Sequence, residues 1–193
     1  AGNTLSAKDE KFLKDVEIYV NSLKSIRGSF AQSSSNGVKD EGVFYIKKPG
    51  RMRLEYKSPM LLVADGTSIV YHDKKLNQIS YIALDSNPAS IILNGNVALT
   101  GANPSAKVKG IEEVGDTTEL TLATKNEKQT GVITLVFQTF PLSLLGWKVK
   151  DAQGVTTKII LSGITPESSL ADSLFKITKT RSFTNTKPVG RYY

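Results

Sequence analysis

Residues 51–57, Arg-Met-Arg-Leu-Glu-Tyr-Lys, alternate without a break between charged and apolar side chains. In an extended chain successive side chains point to opposite faces. Met52, Leu54 and Tyr56 therefore share one side, and Arg51, Arg53, Glu55 and Lys57 the other. Such a split belongs to a half-buried antiparallel strand with one wet face, not to a parallel strand buried on both. The feature lies inside a longer stretch, residues 28–78, with strand patterns on either side. Ile26 to Ser34 places Ile26, Gly28, Phe30 and Gln32 on one face, and a Ser-Ser-Ser-Asn-Gly turn at 33–37 returns the chain along 38–48. By parity, Phe44, Ile46 and Lys48 point the same way. Pro49-Gly50, Ser58-Pro59, Asp65-Gly66 and Asp73-Lys74-Lys75 punctuate the strands that follow, at 61–64, 67–72 and 77–84.

Before this stretch, residues 6–24 predict one amphipathic helix. Ser6 and Asp9 resemble a capping box, and Phe12, Val16, Tyr19 and Leu23 form an apolar stripe that Leu13 and Val20 widen. After it, Asn87-Pro88 supplies a helix start. Ala89, Ile91, Ile92 and Leu93 follow before Asn94-Gly95-Asn96, so 88–99 predicts a short, broken, apolar helical insertion. Strands resume at 107–114, 117–124, 130–138, 144–151 and 154–163, at intervals of roughly 8–12 residues. Thr165-Pro166-Glu167 opens a helical turn to Ser173, with Phe175 to Ile177 behind it. The expected fold is mainly β with helices (α+β): about ten or eleven antiparallel strands in a curled sheet, with both helices on one face. One domain is expected over 1–180. The polar, basic tail 181–193 reads as either flexible or an edge strand.

Composition limits the chemistry. The chain has 193 residues, enough for one sizeable core, and 39% are hydrophobic. No run approaches the roughly 18 apolar residues of a membrane span, and no charged-then-apolar leader precedes Ala1, so no signal peptide is expected within these residues. The absence of cysteine excludes disulfides, thiolate metal sites and cysteine nucleophiles. His72 is the one histidine, which excludes a multi-histidine metal site. Asp40/Glu41 and Glu112/Glu113 are neighbours on strands, face opposite ways, and do not flank one substrate. No enzyme, metal or cofactor is expected. The net charge of +7 (25 − 18) suits an anionic surface, an acidic partner or nucleic acid. Lys47, Lys48, Arg51 and Arg53 beside Tyr45 and Tyr56 resemble a nucleic-acid face, but parity separates Arg51 and Arg53 from the apolar side, whereas a strand-binding surface interleaves cations and aromatics on one face.

The motifs G-S-F-A-Q at 28–32, E-G-x-F-x-I-K-K-P-G-R-M-R-L-E-Y-x-x-P at 41–59 and V-A-D-G-T-x-I-V-Y-x-D at 63–73 resemble the periplasmic outer-membrane lipoprotein carrier family, LolA. Asn87-Pro88 with Ile91-Ile92-Leu93 falls where that family has its lid, and L-A-D-S-L-F at 170–175 is similar to its closing motif. The resemblance implies an unclosed, strongly curved antiparallel β-half-barrel with a helical lid over an apolar concave face. It implies a periplasmic monomer that shuttles acylated lipoproteins from an inner-membrane ABC-type release complex to an outer-membrane receptor, with no cofactor and no covalent step. The lipid cavity would be lined by Phe12, Val16, Tyr19, Phe30, Phe44, Ile46, Met52, Leu54, Tyr56, Ile91, Ile92 and Leu93. In the family an inward-pointing Arg bonds the lid; the matching position is Lys48, which lacks the rigid guanidinium fork. Arg51, Arg53 and Lys57 are expected to form a partner-docking patch on the outer face. The competing expectation is a sensor or interaction domain of the same half-barrel shape that binds lipid or peptide without transporting it.

Overall fold

The computed structural model describes residues 5–125, 131–151 and 153–177, with the backbone of Thr184 and Asn185. Helix α1 (Ala7–Ser22) starts where Ser6 Oγ accepts the Asp9 N–H at 3.1 Å. Asp9 and Glu10 in its first turn complement the helix dipole. Its deepest residues are Leu13, Val16 and Val20, with Phe12, Tyr19 and Leu23 packed partly buried beside them. The stripe therefore sits slightly to one side of the predicted one.

One sheet follows. A first meander runs β1 (Ser25–Ser34), β2 (Lys39–Lys47), β3 (Arg51–Tyr56), β4 (Met60–Asp65), β5 (Ser68–Asp73) and β6 (Gln78–Ala83). A second runs β7 (Ala106–Val114), β8 (Thr117–Thr124), β9 (Val132–Gln138), β10 (Ser143–Lys150) and β11 (Thr156–Pro166). β11 pairs antiparallel with β1 and joins the two. The spatial order is β12-β6-β5-β4-β3-β2-β1-β11-β10-β9-β8-β7, and the sheet is not closed. Eleven of its twelve strands form the antiparallel array. The other, β12 (Thr184–Asn185), pairs parallel with Gln78 and Ile79 of β6. Of the expected tail, 181–193, the remainder lies outside the described residues.

This order decides what covers the concave face. β6 and β7 are consecutive in the chain but lie near opposite edges of the sheet. The connection 84–105 must cross from one side to the other. It contains a 3-10 turn (Leu84–Ser86) and the single-turn helix α2 (Ser90–Leu93), with Ile91, Ile92, Leu93, Val97 and Leu99 buried. The helical insertion expected over 88–99 is α-helical only at Ser90–Leu93, and 97–99 form no helix. Those residues are irregular: side chains of α1 bond the backbone of Val97 and Leu99, and Ser105 bonds that of Ala98. The helical turn expected from Thr165 also moves: β11 runs on to Pro166, and the turn is a 3-10 helix at Asp172–Phe175.

The buried residues of α1, α2 and the concave face form one cluster. Phe137 of β9 sits beneath α1, with Phe12 and Tyr19 edge-on to its ring, each at 6.1 Å. Gly28 marks a register shift between β1 and β11. A Cβ there would lie 2.7 Å from the Phe44 ring and 2.8 Å from the Ser162 carbonyl oxygen, so only glycine lets Phe44 lie across β1.

Phe137→Ala is expected to lower stability by about 3–5 kcal/mol, since it removes the ring that seats the helix. Phe140→Ala, at a side chain 92% exposed, is expected to change stability by less than about 0.5 kcal/mol. Urea unfolding of the two variants checks both.

Candidate functional site

The strand parity read from the sequence places the concave lining. Phe44, Ile46, Met52 and Leu54 are buried, in cross-strand pairs Phe44–Leu54 and Ile46–Met52. Phe30 is buried and meets the half-buried Tyr56 edge-on at 5.1 Å. The Tyr56 hydroxyl donates to Gln32 Oε1 at 2.7 Å. Burial, and after it the Asp40 carboxylate, push the Tyr56 hydroxyl well above its usual pKa. Val16, Ile91, Ile92 and Leu93 are buried, and Phe12 and Tyr19 half-buried, in this same cluster. All twelve residues expected to line the cavity thus meet in one apolar body. The other wall comes from β9 and β10, which the sequence reading did not assign to the site: Leu135, Leu144 and Trp147. Their signal was the clean alternation of Ile133, Leu135 and Phe137, and the only tryptophan of the chain.

The chain's own side chains fill the chamber. Between α1, α2, β2, β9 and β10 there remains a pocket of about 20 Å³, lined by Val20, Leu23, Ile26, Ile46, Lys48, Ile92, Leu135, Leu144 and Trp147. That is room for about one water molecule. A larger group would fit there only if segment 84–105 or α1 gave way.

The crossing segment is held by polar groups that the sequence reading passed over. Glu17 Oε1 accepts from the Leu99 N–H at 2.5 Å, the Thr100 N–H at 2.6 Å and the Thr100 hydroxyl at 2.9 Å. One turn on, Asn21 donates to the Val97 carbonyl at 2.9 Å and accepts its N–H at 2.8 Å. The Gly50 N–H donates to the Leu93 carbonyl at 2.8 Å. Glu17 and Asn21 are four apart on α1 and so lie on one side of it. The available hint was a polar pair at this spacing beside the apolar stripe, one member an asparagine, which is a poor helix former.

Lys48 points inward, as its parity required. Its ammonium donates to the Val20 carbonyl at 2.8 Å, in the last turn of α1, and not to segment 84–105. This differs from the lid contact implied by the family resemblance. The physical reason is local: α1 has no basic residue in its own last turn, and Lys48 brings a cation to the negative end of that helix. Burial pushes the Lys48 ammonium down to about 8.

A segment of the same chain covers part of the outer face, where the docking patch is expected. Residues 170–177 fold back over it. Leu170 and Phe175 are buried against Leu61 and Val63, forming a second small core. Arg51 and Lys47 both bond Asp172 Oδ1 at 2.9 Å, and Lys47 also bonds the Leu170 carbonyl. Lys47 first, then Arg51, hold the Asp172 carboxyl below its usual pKa. Arg53 donates to the Leu174 carbonyl at 2.9 Å and to Glu55 at 2.8 Å. Arg51 and Arg53 are thus engaged with their own chain. Lys57 is exposed and pairs with Glu41. The missed signal was the unbroken apolar run Leu61-Leu62-Val63-Ala64, the mark of a strand buried on both faces.

Residues 21–178 match the sequence profile of the outer membrane lipoprotein carrier protein LolA. The chain belongs to this family. It is 30% identical to the outer-membrane lipoprotein carrier protein of Cupriavidus taiwanensis, with 84% of this chain and 82% of that one aligned. It is 28% identical to the same-named protein of Neisseria meningitidis serogroup C, over 82% of this chain and 78% of that one. An uncharacterized conserved protein from Thermus thermophilus shares the fold, with a TM-score of 0.50, 11% identity and coverage of 93% of this chain and 99% of that one. The LolA match begins inside α1 at Asn21 and takes in β1 to β11 and the strap at 170–177. Glu17, the stronger anchor of the crossing segment, lies just before it. The LolA family is one of carriers, and no group of His, Asp or Glu able to hold a metal ion occurs among the described residues.

Two outcomes are expected. Glu17→Ala speeds hydrogen exchange at the Leu99 and Thr100 amides by about tenfold or more, because three bonds to one carboxylate are lost, while amides of β9 keep their protection. Lys48 has a folded pKa of about 8 against 10.5 for the ordinary group. Between those values the unfolded chain binds more protons, so this group makes stability rise with pH across that window and leaves it flat below. Urea unfolding across the window shows the rise, and Lys48→Met abolishes that part of it.

Proposed function

We propose that this protein is a periplasmic carrier that holds the acyl chains of lipoproteins in the chamber between its curved sheet and segment 84–105, and shuttles them from the inner to the outer membrane. It takes cargo from an ABC-type release complex and delivers it to an outer-membrane receptor, acting as a monomer. It performs no covalent chemistry. The observation that carries the reading is a concave face apolar but for Lys48 and the hydrogen-bonded Tyr56–Gln32 pair, filled by a segment that polar contacts hold in place.

The magnitudes favour reversible loading. Burying an acyl chain gains about 0.8 kcal/mol per methylene, on the order of 10 kcal/mol for a full chain. Ile91, Ile92 and Leu93 are buried in the same space. Exposing such side chains costs roughly 1.5–3 kcal/mol each. The two terms are of similar size, so cargo is held without being trapped. A rigid empty cavity would bind too tightly to release.

The wild-type protein is expected to draw acylated lipoprotein from membrane vesicles into a soluble complex, and to bind a fluorescent fatty-acyl probe. Leu54→Glu, which puts a charge in the chamber floor, is expected to weaken the probe by at least about tenfold. Circular dichroism confirms that this variant is folded. Probe binding without extraction of lipoprotein favours a lipid-binding sensor over a carrier, and equal probe affinity for both proteins overturns the chamber.

A further inference from the structure

We infer that Lys48 is the binding site for the carboxyl end of the acyl chain, an ester carbonyl or a free carboxylate, and so sets the direction in which the chain lies. The inference rests on the chamber reading and deepens it. Among the described residues, Lys48 is the only charged side chain lining the residual pocket; its neighbours there include Ile46, Ile92, Leu135 and Trp147. An ammonium has three donors. One is used, on the Val20 carbonyl, and no other hydrogen bond forms to this group among the described residues. A cation in apolar surroundings with donors to spare is a site for an oxygen acceptor.

The tie to α1 keeps the cation in place during loading. Ile92 belongs to the crossing segment that must give way, whereas the Lys48–Val20 bond does not involve that segment. When Ile92 leaves, an incoming chain takes its place beside the ammonium. At the far end of the chamber the polar groups are neutral, and the Tyr56 hydroxyl donates to Gln32. From Lys48 back along β2 to Gly42, which pairs with Tyr56, is six residues, or about 20 Å of extended strand. Ile46 and Phe44 lie along that path. The carboxyl group therefore sits at Lys48 near solvent, and the methyl end runs toward Phe30 and Tyr56.

Three fluorescent polyenes test this on the full chain: cis-parinaric acid, its methyl ester, and diphenylhexatriene, which has no carbonyl. Lys48→Met is expected to weaken the acid and the ester by about tenfold or more while leaving the hydrocarbon unchanged. Lys48→Arg, which keeps a cation and donors, is expected to retain both. Loss for acid and ester together assigns the site to the acyl carbonyl; loss for the acid alone assigns it to a free fatty-acid carboxylate. The inference is overturned if Lys48→Met leaves all three affinities unchanged or lowers all three equally. If no probe binds the wild type, the chamber reading fails and this inference with it.

Discussion

The antiparallel pairing of β1 with β11 is the contact on which the rest depends. It joins two meanders back to back, and in doing so sends β6 and β7 toward opposite edges of one sheet. The chain between them has to cross the sheet. Because that connection carries Ile91, Ile92, Leu93, Val97 and Leu99, it crosses on the apolar concave side and is buried there. A cover over the concave face thus follows from topology plus hydrophobic burial.

Segment 84–105 is held by two kinds of force. Its apolar side chains fill the concave space non-directionally. Its backbone is satisfied by a few directional bonds from Glu17, Asn21 and Gly50. Only four of its residues are in α-helix, and its own hydrogen bonds are short-range turns and the contacts between Ser105 and Ala98. Detaching such a segment would break a small, localised set of bonds to α1 and Gly50, and the sheet beneath would keep its ladder. The outer face is organised differently. There Leu170 and Phe175 are pinned on β4 by apolar contact, with Lys47, Arg51 and Arg53 gripping the strap from β2 and β3.

Much of this was legible in the chain. Period-2 alternation in 51–57 placed Met52 and Leu54 on the buried side, and the turn residues gave the strand count. The apolar insertion at 88–99 was recognisable from its composition. What escaped were interactions between residues distant in sequence. Glu17 reads as an ordinary surface residue of a helix until residues 99 and 100 are brought beside it. Arg51 and Arg53 read as solvent-facing, and they do leave the core side, but the strap 170–177 lies over them. The hydrogen bond of Lys48 to α1 depends on the place where a helix end meets a turn, which no local pattern encodes.

The sequence alone determined that this is a half-buried antiparallel sheet with an amphipathic leading helix, an apolar insertion and one inward charge. Those features are set by side-chain periodicity and turn chemistry, which act over a few residues. Tertiary structure alone decided which groups hold the insertion, which cations are engaged by the strap, and what Lys48 touches. These are pairings across tens of residues, selected by topology and by the need to satisfy buried backbone groups wherever the chain happens to bring them.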